Sequence, residues 1–187
     1  MKLYNKKIIV DPRSNYSYGS FYLYELIWLF GHSNVVFDIK PFLELNDMGN
    51  DMRFIAISDS NIPTKYFIHT NDSYRIQKED YDWCDIYGCV NANFTHYPKE
   101  QYPKLKSLVP ALGKCIISTQ LSNDLPYPLE HGKNIHFVEN SEQAMRDAIE
   151  YIIAHPEYKH RLEQGAREYW SQYGTPEASL KLLGIIQ

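Results

Sequence analysis

Seven short apolar runs set the tightest limit on how this chain can fold: Lys7–Val10, Val35–Ile39, Phe54–Ser58, Tyr66–His69, Ile86–Val90, Cys115–Ser118 and Ile135–Val138. Each has the length of a strand and is almost continuously apolar. A strand with one wet face alternates in polarity, whereas a continuous run fits a strand covered on both faces. Segments of helical pattern separate the runs. The alternation predicts an α/β protein: a single Rossmann-like, doubly wound domain over residues 1–187. Its expected sheet is mainly parallel, with six or seven strands, and helices trail at the C-terminal end. A length of 187 residues fits one domain, and 44% hydrophobic against 22% charged residues provides for a core.

The helices announce themselves by periodicity and by their ends. Phe21–Phe30 (FYLYELIWLF) is apolar almost all round, which predicts deep packing, and Gly31 stands where a C-cap belongs. Pro103–Leu112 is a second candidate, closed by Gly113 and kinked or cut short at Pro110. Further on, Asn140 or Ser141 caps a helix with Met145, Ala148, Ile149, Ile152 and Ile153 on one face. His155-Pro156 ends it and starts the next, with proline at the first helical position. That helix stacks Tyr158, Leu162, Ala166, Tyr169 and Tyr173; Gly174 stops it, and Thr175-Pro176-Glu177 opens a third. The polar stretch Glu44–Met52 reads as a mobile loop.

Several function classes are disfavoured. A net charge of −4 and a pI near 6.0 give no basic face for nucleic acid. No G-x-G-x-x-G, Walker-type loop, nucleophile elbow or zinc-type spacing of histidine and cysteine occurs, so no cofactor or metal is expected. Cys84, Cys89 and Cys115 form no C-x-x-C pair and read as reduced thiols of a cytoplasmic protein. No apolar run approaches membrane-spanning length, so any membrane association is expected to be peripheral. In parallel α/β sheets ligands gather at the carboxyl ends of strands, where Asp11, Asp38, His69, Asn91-Ala-Asn93 and Ser118-Thr-Gln120 lie. Strand ends reach water and are polar for that reason alone, which accounts for most of them.

Three segments read together carry more. Asp85-Ile-Tyr-Gly-Cys-Val90, Glu100-Gln-Tyr-Pro103 and Ala111-Leu-Gly-Lys-Cys-Ile-Ile-Ser118 resemble the C-terminal nucleotide-sugar domain of GT-B glycosyltransferases. There a strand is followed by a Glu-x-aromatic-Gly turn, a helix with a second Glu, and a small-residue–Gly–x–Pro–Val–Ile strand. The stretch PYPLEHGKNIHFVENSEQAMRDAI, from Pro126 to Ile149, continues the likeness with a glycine loop, a strand and a capped helix. The similarity spans about Tyr81 to Leu183. It departs from the family at Leu108, where the second Glu belongs, at Pro103 for the turn glycine, at Cys115 for the strand proline, and at Tyr127 for a further carboxylate.

The resemblance implies a glycosyltransferase, or a single-domain relative of one, using a nucleotide-sugar donor and a glycan or glycolipid acceptor in surface-polysaccharide synthesis. The departures leave open a non-catalytic relative that binds a nucleotide, a sugar or a partner enzyme, and an unrelated flavodoxin-like binding module is a third class. A complete enzyme of this family has two Rossmann domains, so the missing half either comes from a second copy or a partner glycosyltransferase or is unnecessary. Phe21–Phe30 and the region of Tyr169, Trp170 and Tyr173 are the candidate contacts. The expected pocket brings Asn91, Asn93, His96 and Glu100 to the loop His131-Gly132-Lys133, which acts as a hinge supported by Ile135–Val138. Asparagine and Glu100 side chains would orient hydroxyls, and Lys133 or Lys104 would meet a phosphate. On the residues alone, Asn91 and Asn93 also read as turn formers and Glu100 as a solvated carboxylate at a helix start.

Overall fold

A computed structural model describes residues 6–14, 16–47, 49, 51–58, 61–71, 73–108, 115–121 and 124–186, without the side chains of 16–18. The Ala111-Leu-Gly-Lys part of the resemblance, Pro110 and Gly113 lie outside the described residues. The chain divides into two compact units, one of residues 1–108 with 180–187 and one of residues 109–179.

The first unit is built on β1 (Lys7–Val10), α1 (Tyr16–Phe30), β2 (Val35–Phe37), β3 (Met52–Ile57), β4 (Pro63–His69), α2 (Lys78–Trp83), β5 (Ile86–Cys89) and β6 (Leu105–Ser107). These strands form one sheet in the order β2-β1-β3-β4-β5-β6. β1 pairs with β2, β4 with β5 and β5 with β6 in parallel, but β3 runs antiparallel to both β1 and β4. The sheet is therefore mixed, and the expected mainly parallel, Rossmann-like doubly wound domain is overturned. The physical reason is short connection length. Only residues 58–62 join β3 to β4, and a parallel crossover needs a dozen or more.

Two further expectations change with it. Leu105–Ser107, expected to be helical, is an edge strand with Leu105 and Ser107 buried and Lys106 exposed, a period of two. The runs Cys115–Ser118 and Ile135–Val138 do not join the six-stranded sheet at all.

Alternation along the strands divides the core into two layers. On one face Ile8, Val10, Met52, Phe54, Ala56, Tyr66 and Ile68 pack with Tyr22, Leu26, Leu29 and Phe30 of α1. Leu183, Ile185 and Ile186 complete that layer. Gly88 makes room for them, since a Cβ there would lie 2.9 Å from Leu108 Cδ1 and 3.1 Å from Leu183 Cδ2. On the other face Phe67, Tyr87, Cys89 and Leu105 pack with Cys84 and the rings of Tyr81 and Trp83. α1 ends at Gly31, whose φ of +82° suits glycine. The helix is not buried all round as its composition suggested: Tyr24 and Trp28 are 69% and 46% exposed.

The second unit pairs β7 (Ile117–Thr119) with β8 (His136–Val138) in parallel, Ile117 opposite His136 and Thr119 opposite Val138. α3 (Glu142–Ala154) and α4 (Pro156–Tyr169) follow. Ser141 caps α3 by accepting from the Ala144 N–H at 3.1 Å, and Pro156 opens α4 as its position predicts. Tyr158, Leu162, Ala166 and Tyr169 form the buried stripe of α4. Ile152, Tyr158 and Leu162 pack with Cys115 and Ile117. α4 then widens into a π-helical turn, Trp170–Gly174, before α5 (Pro176–Leu182). Gly174 closes the turn because a Cβ there would lie 2.5 Å from Trp170 Cδ1.

Candidate functional site

Polar groups concentrate at the carboxyl edge of the six-stranded sheet, where the reversed β3 begins. The stretch Asp51-Met-Arg-Phe54 alternates, so Asp51 and Arg53 share the face opposite Met52 and Phe54, and both are buried. A buried guanidinium needs partners. Arg53 Nε donates to Asp80 Oδ1 on α2, and Nη1 donates to the Asn46 carbonyl at 2.7 Å and lies 3.6 Å from Asp11 Oδ2. Arg13 grips the same Asp11 through Nε at 3.1 Å and Nη2 at 2.9 Å, and donates to the carbonyls of Leu45 and Phe42. Two carboxylates and two guanidinium groups thus hold Leu45 and Asn46, at the start of the stretch read as a mobile loop. Asp51 is a separate buried carboxylate, accepting from the Thr70 N–H at 2.8 Å and from the amides of Asn71 and Gln77.

This edge is a clamp, and its groups are poorly suited to covalent chemistry. His69 is 1% exposed, with Nε2 2.8 Å from Asn71 Oδ1 and Nδ1 3.1 Å from the Tyr87 hydroxyl. Burial raises the Tyr87 hydroxyl and pushes the Cys84 and Cys89 thiols up to about 12. Such thiols stay protonated and are poor nucleophiles at neutral pH. Burial also raises Asp80, with Arg53 opposing it. Among the described residues no group of three histidine, cysteine or acidic side chains could hold a metal ion.

The residues expected to form the site divide between the units. Asn91, Asn93, His96, Glu100 and Lys104 belong to the first, and His131, Gly132 and Lys133 to the second. Asn91 Nδ2 donates to the Asn71 carbonyl at 3.1 Å, next to the clamp. Asn93 is 7% exposed, and its Oδ1 accepts from the Thr95 and His96 N–H groups at 3.1 Å each, an Asx turn. The His96 ring lies 5.1 Å from that of Tyr74. Glu100 is exposed in the following turn. Lys104 is committed to the end of α2, donating to the carbonyls of Tyr81 at 2.9 Å and Asp82 at 3.2 Å. Leu108, at the family's second Glu position, is fully buried in the apolar layer.

The hinge residues are well defined within the second unit. Gly132 has φ of +77° and donates to the Ile135 carbonyl at 2.8 Å. His131 Nδ1 accepts from the Phe137 N–H at 3.0 Å. Its ring lies 4.8 Å from that of His136, whose Nδ1 is 2.7 Å from the Tyr158 hydroxyl. Burial and His131 together lower His136 below its ordinary value. Lys133 Nζ meets Glu130 at 2.8 Å on the surface.

An open site lies at the carboxyl ends of β7 and β8. Thr119, Gln120, Phe137, Val138, Glu139 and Asn140 line a cavity of about 500 Å³ directly before Ser141 and the start of α3. A hydroxyl, two amides and a carboxylate over two apolar side chains suit a polyhydroxylated ligand. The start of α3 follows immediately at Ser141, and a helix start suits an anion. Arg53, Asp51, Asp80 and Gln77 were not anticipated from sequence. The signal was present in DMRFIAI, where one arginine interrupts an apolar strand and so requires a buried partner. Set against known proteins, the chain matches no protein-family model, and no curated protein and no solved structure is significantly similar to it.

Proposed function

We propose that the chain binds a nucleotide-sugar at the carboxyl edge of the β7–β8 pair and serves a glycosyltransferase reaction of surface-polysaccharide synthesis. The observation that carries this reading is the cavity lined by Thr119, Gln120, Glu139 and Asn140, ahead of the Ser141-capped helix. Glu139 and the two amides are the hydroxyl-binding groups, and the α3 start faces the diphosphate. The sequence resemblance from Pro126 to Ile149 supports the same assignment. In this reading the glycan or glycolipid acceptor is presented by a second copy or a partner glycosyltransferase. The setting is the cytoplasm, in keeping with three free cysteines.

The test is thermal denaturation of the full chain with UDP-glucose, UDP-N-acetylglucosamine, GDP-mannose and CMP-N-acetylneuraminate. A ligand at a hundred times its Kd adds about 2.7 kcal/mol to the folded state, a rise in Tm of roughly 5–10 °C for a chain of this size. No rise with any of the four overturns the proposal.

One observation favours a second reading, binding without transfer. Leu108 lies in the apolar layer and presents no polar group where the family uses a carboxylate. Binding without release of UDP, GDP or CMP in the presence of acceptor distinguishes this case.

A further inference from the structure

The second unit holds another cavity, of about 290 Å³, between its glycine loop and the π-helical turn. Tyr127, Tyr169 and Tyr173 form one side of it. Tyr127 and Tyr173 stack with centroids 3.9 Å apart and planes 22° from parallel, and Tyr169 meets Tyr173 edge-on at 5.3 Å. The Tyr169 hydroxyl donates to the Tyr127 carbonyl at 2.7 Å, which ties the stack to α4. Burial pushes that hydroxyl up to about 12, so it remains a donor at neutral pH. The π turn bears directly on this arrangement: it begins immediately after Tyr169 and contains Tyr173. Isolated π turns recur at functional sites.

The rest of the lining is largely polar. Glu130, Lys133, Glu168 and Gln172 contribute to it. Behind them Asn134, 3% exposed, accepts from the Glu130 N–H at 2.8 Å and fixes the loop. Gly165 lets α4 approach the same loop closely.

A stacked aromatic pair in one cavity with carboxylates and an amide suits a ligand with apolar faces and a hydroxylated edge. A pyranose ring fits: its C–H face packs on tyrosine, and adjacent hydroxyls donate to carboxylate or amide oxygens. The charge balance argues against a nucleotide here. Two carboxylates stand at the rim against one lysine already paired with Glu130, which disfavours a phosphate. We propose that this cavity binds one neutral pyranose ring of a saccharide, stacked against the Tyr127–Tyr173 pair. The proposal rests on this cavity alone and holds whether or not the β7–β8 edge takes a nucleotide-sugar.

The experiment is saturation-transfer NMR on the full chain with the methyl glycosides of glucose, galactose and N-acetylglucosamine, with UMP and tetramethylammonium as competing probes. Transfer to ring C–H protons of at least one glycoside is expected. Tyr173→Leu is expected to weaken it tenfold or more. Gln172→Ala, an exposed change that leaves the core intact, is expected to weaken it several-fold. Three results overturn the proposal: no transfer to any glycoside, transfer unchanged in Gln172→Ala, or displacement of the glycoside by UMP or tetramethylammonium.

Discussion

Gly165 of α4 lies against the Lys133 carbonyl so closely that a Cβ at Gly165 would sit 2.1 Å from that oxygen. A mid-helix glycine ordinarily costs about 1 kcal/mol relative to alanine, and here the close approach of loop to helix explains why it is kept. Gly165→Ala is therefore expected to destabilise by about 1–3 kcal/mol, against the usual trend, because backbone must move to admit the methyl group. Gly19 in α1 supplies the contrast: its Cβ would meet Met52 Cβ at an ordinary 3.5 Å. Gly19→Ala should stabilise by about 0.5–1 kcal/mol. Urea denaturation of the two variants checks both signs.

The buried clamp gives a pH test. Burial raises the Asp80 carboxyl above 3.8, with Arg53 opposing and Glu79 and Asp51 adding to the rise. A carboxyl whose folded value is raised binds its proton more tightly in the folded state. Stability is then lost as pH climbs from the unfolded value through the folded one. Wild type should lose stability relative to Asp80→Asn as pH rises from about 3.8 towards neutral. Equal slopes for the two proteins over that window would show that Asp80 does not titrate as its burial requires. Removing the other partner is harsher: Arg53→Met leaves Asp80 buried without its cation, while Asp11 keeps Arg13, and should cost about 3–5 kcal/mol.

The histidine pair gives the opposite sign. His136 is lowered from 6.5 by burial and by neighbouring His131. Below 6.5 the unfolded chain takes up the proton before the folded one does, so this contribution is present above that pH and is lost as pH falls. His136→Gln should reduce the drop in urea midpoint between pH 7.5 and pH 5. A drop of the same size in the variant would assign the effect elsewhere.

Ser141 separates stability from ligand binding. Ser141→Ala removes the hydroxyl that caps α3 and should cost about 1 kcal/mol. Ser141→Asp retains a cap acceptor and should be within about 0.5 kcal/mol of wild type. The added carboxylate repels an anion at the same helix start. Calorimetric titration should show weakened nucleotide-sugar binding in Ser141→Asp at nearly unchanged stability.

α1, α3 and α4 were legible because their ends carry side-chain chemistry: Gly31, Ser141 and Pro156 act as their positions imply, whereas the six-residue α2 has no such signal. Strand direction was not legible, because an apolar run reports burial and carries no sign. The needed clue was the connection. The runs Phe54–Ser58 and Tyr66–His69 are separated by only seven residues, 59–65, too few for a parallel crossover. β6 escaped because a three-residue edge strand offers barely one period of alternation. Site residues were identified singly, as polar types beyond strand ends. Asn93 and Lys104 are polar for local reasons, closing an Asx turn and a helix end. Arg53 stands out in DMRFIAI as a charge inside an apolar strand, but its partners Asp80, Asn46 and Asp11 come from other segments and cannot be assigned without the fold.

Gly88, Leu108 and Leu183 meet in one apolar layer although residues 109–179 come between the last two. During synthesis, the first 108 residues leave the ribosome lacking Leu180, Leu183, Ile185 and Ile186, all of which belong to their core. At roughly 5–20 residues per second the intervening 71 residues, 109–179, take about 4–14 s to appear. Throughout that interval α1 covers only part of the apolar face, the patch that Leu180, Leu183, Ile185 and Ile186 fill stays open, and the second unit can finish folding before the first. The vulnerable species is thus a half-made chain, the stage at which a chaperone would find most to hold.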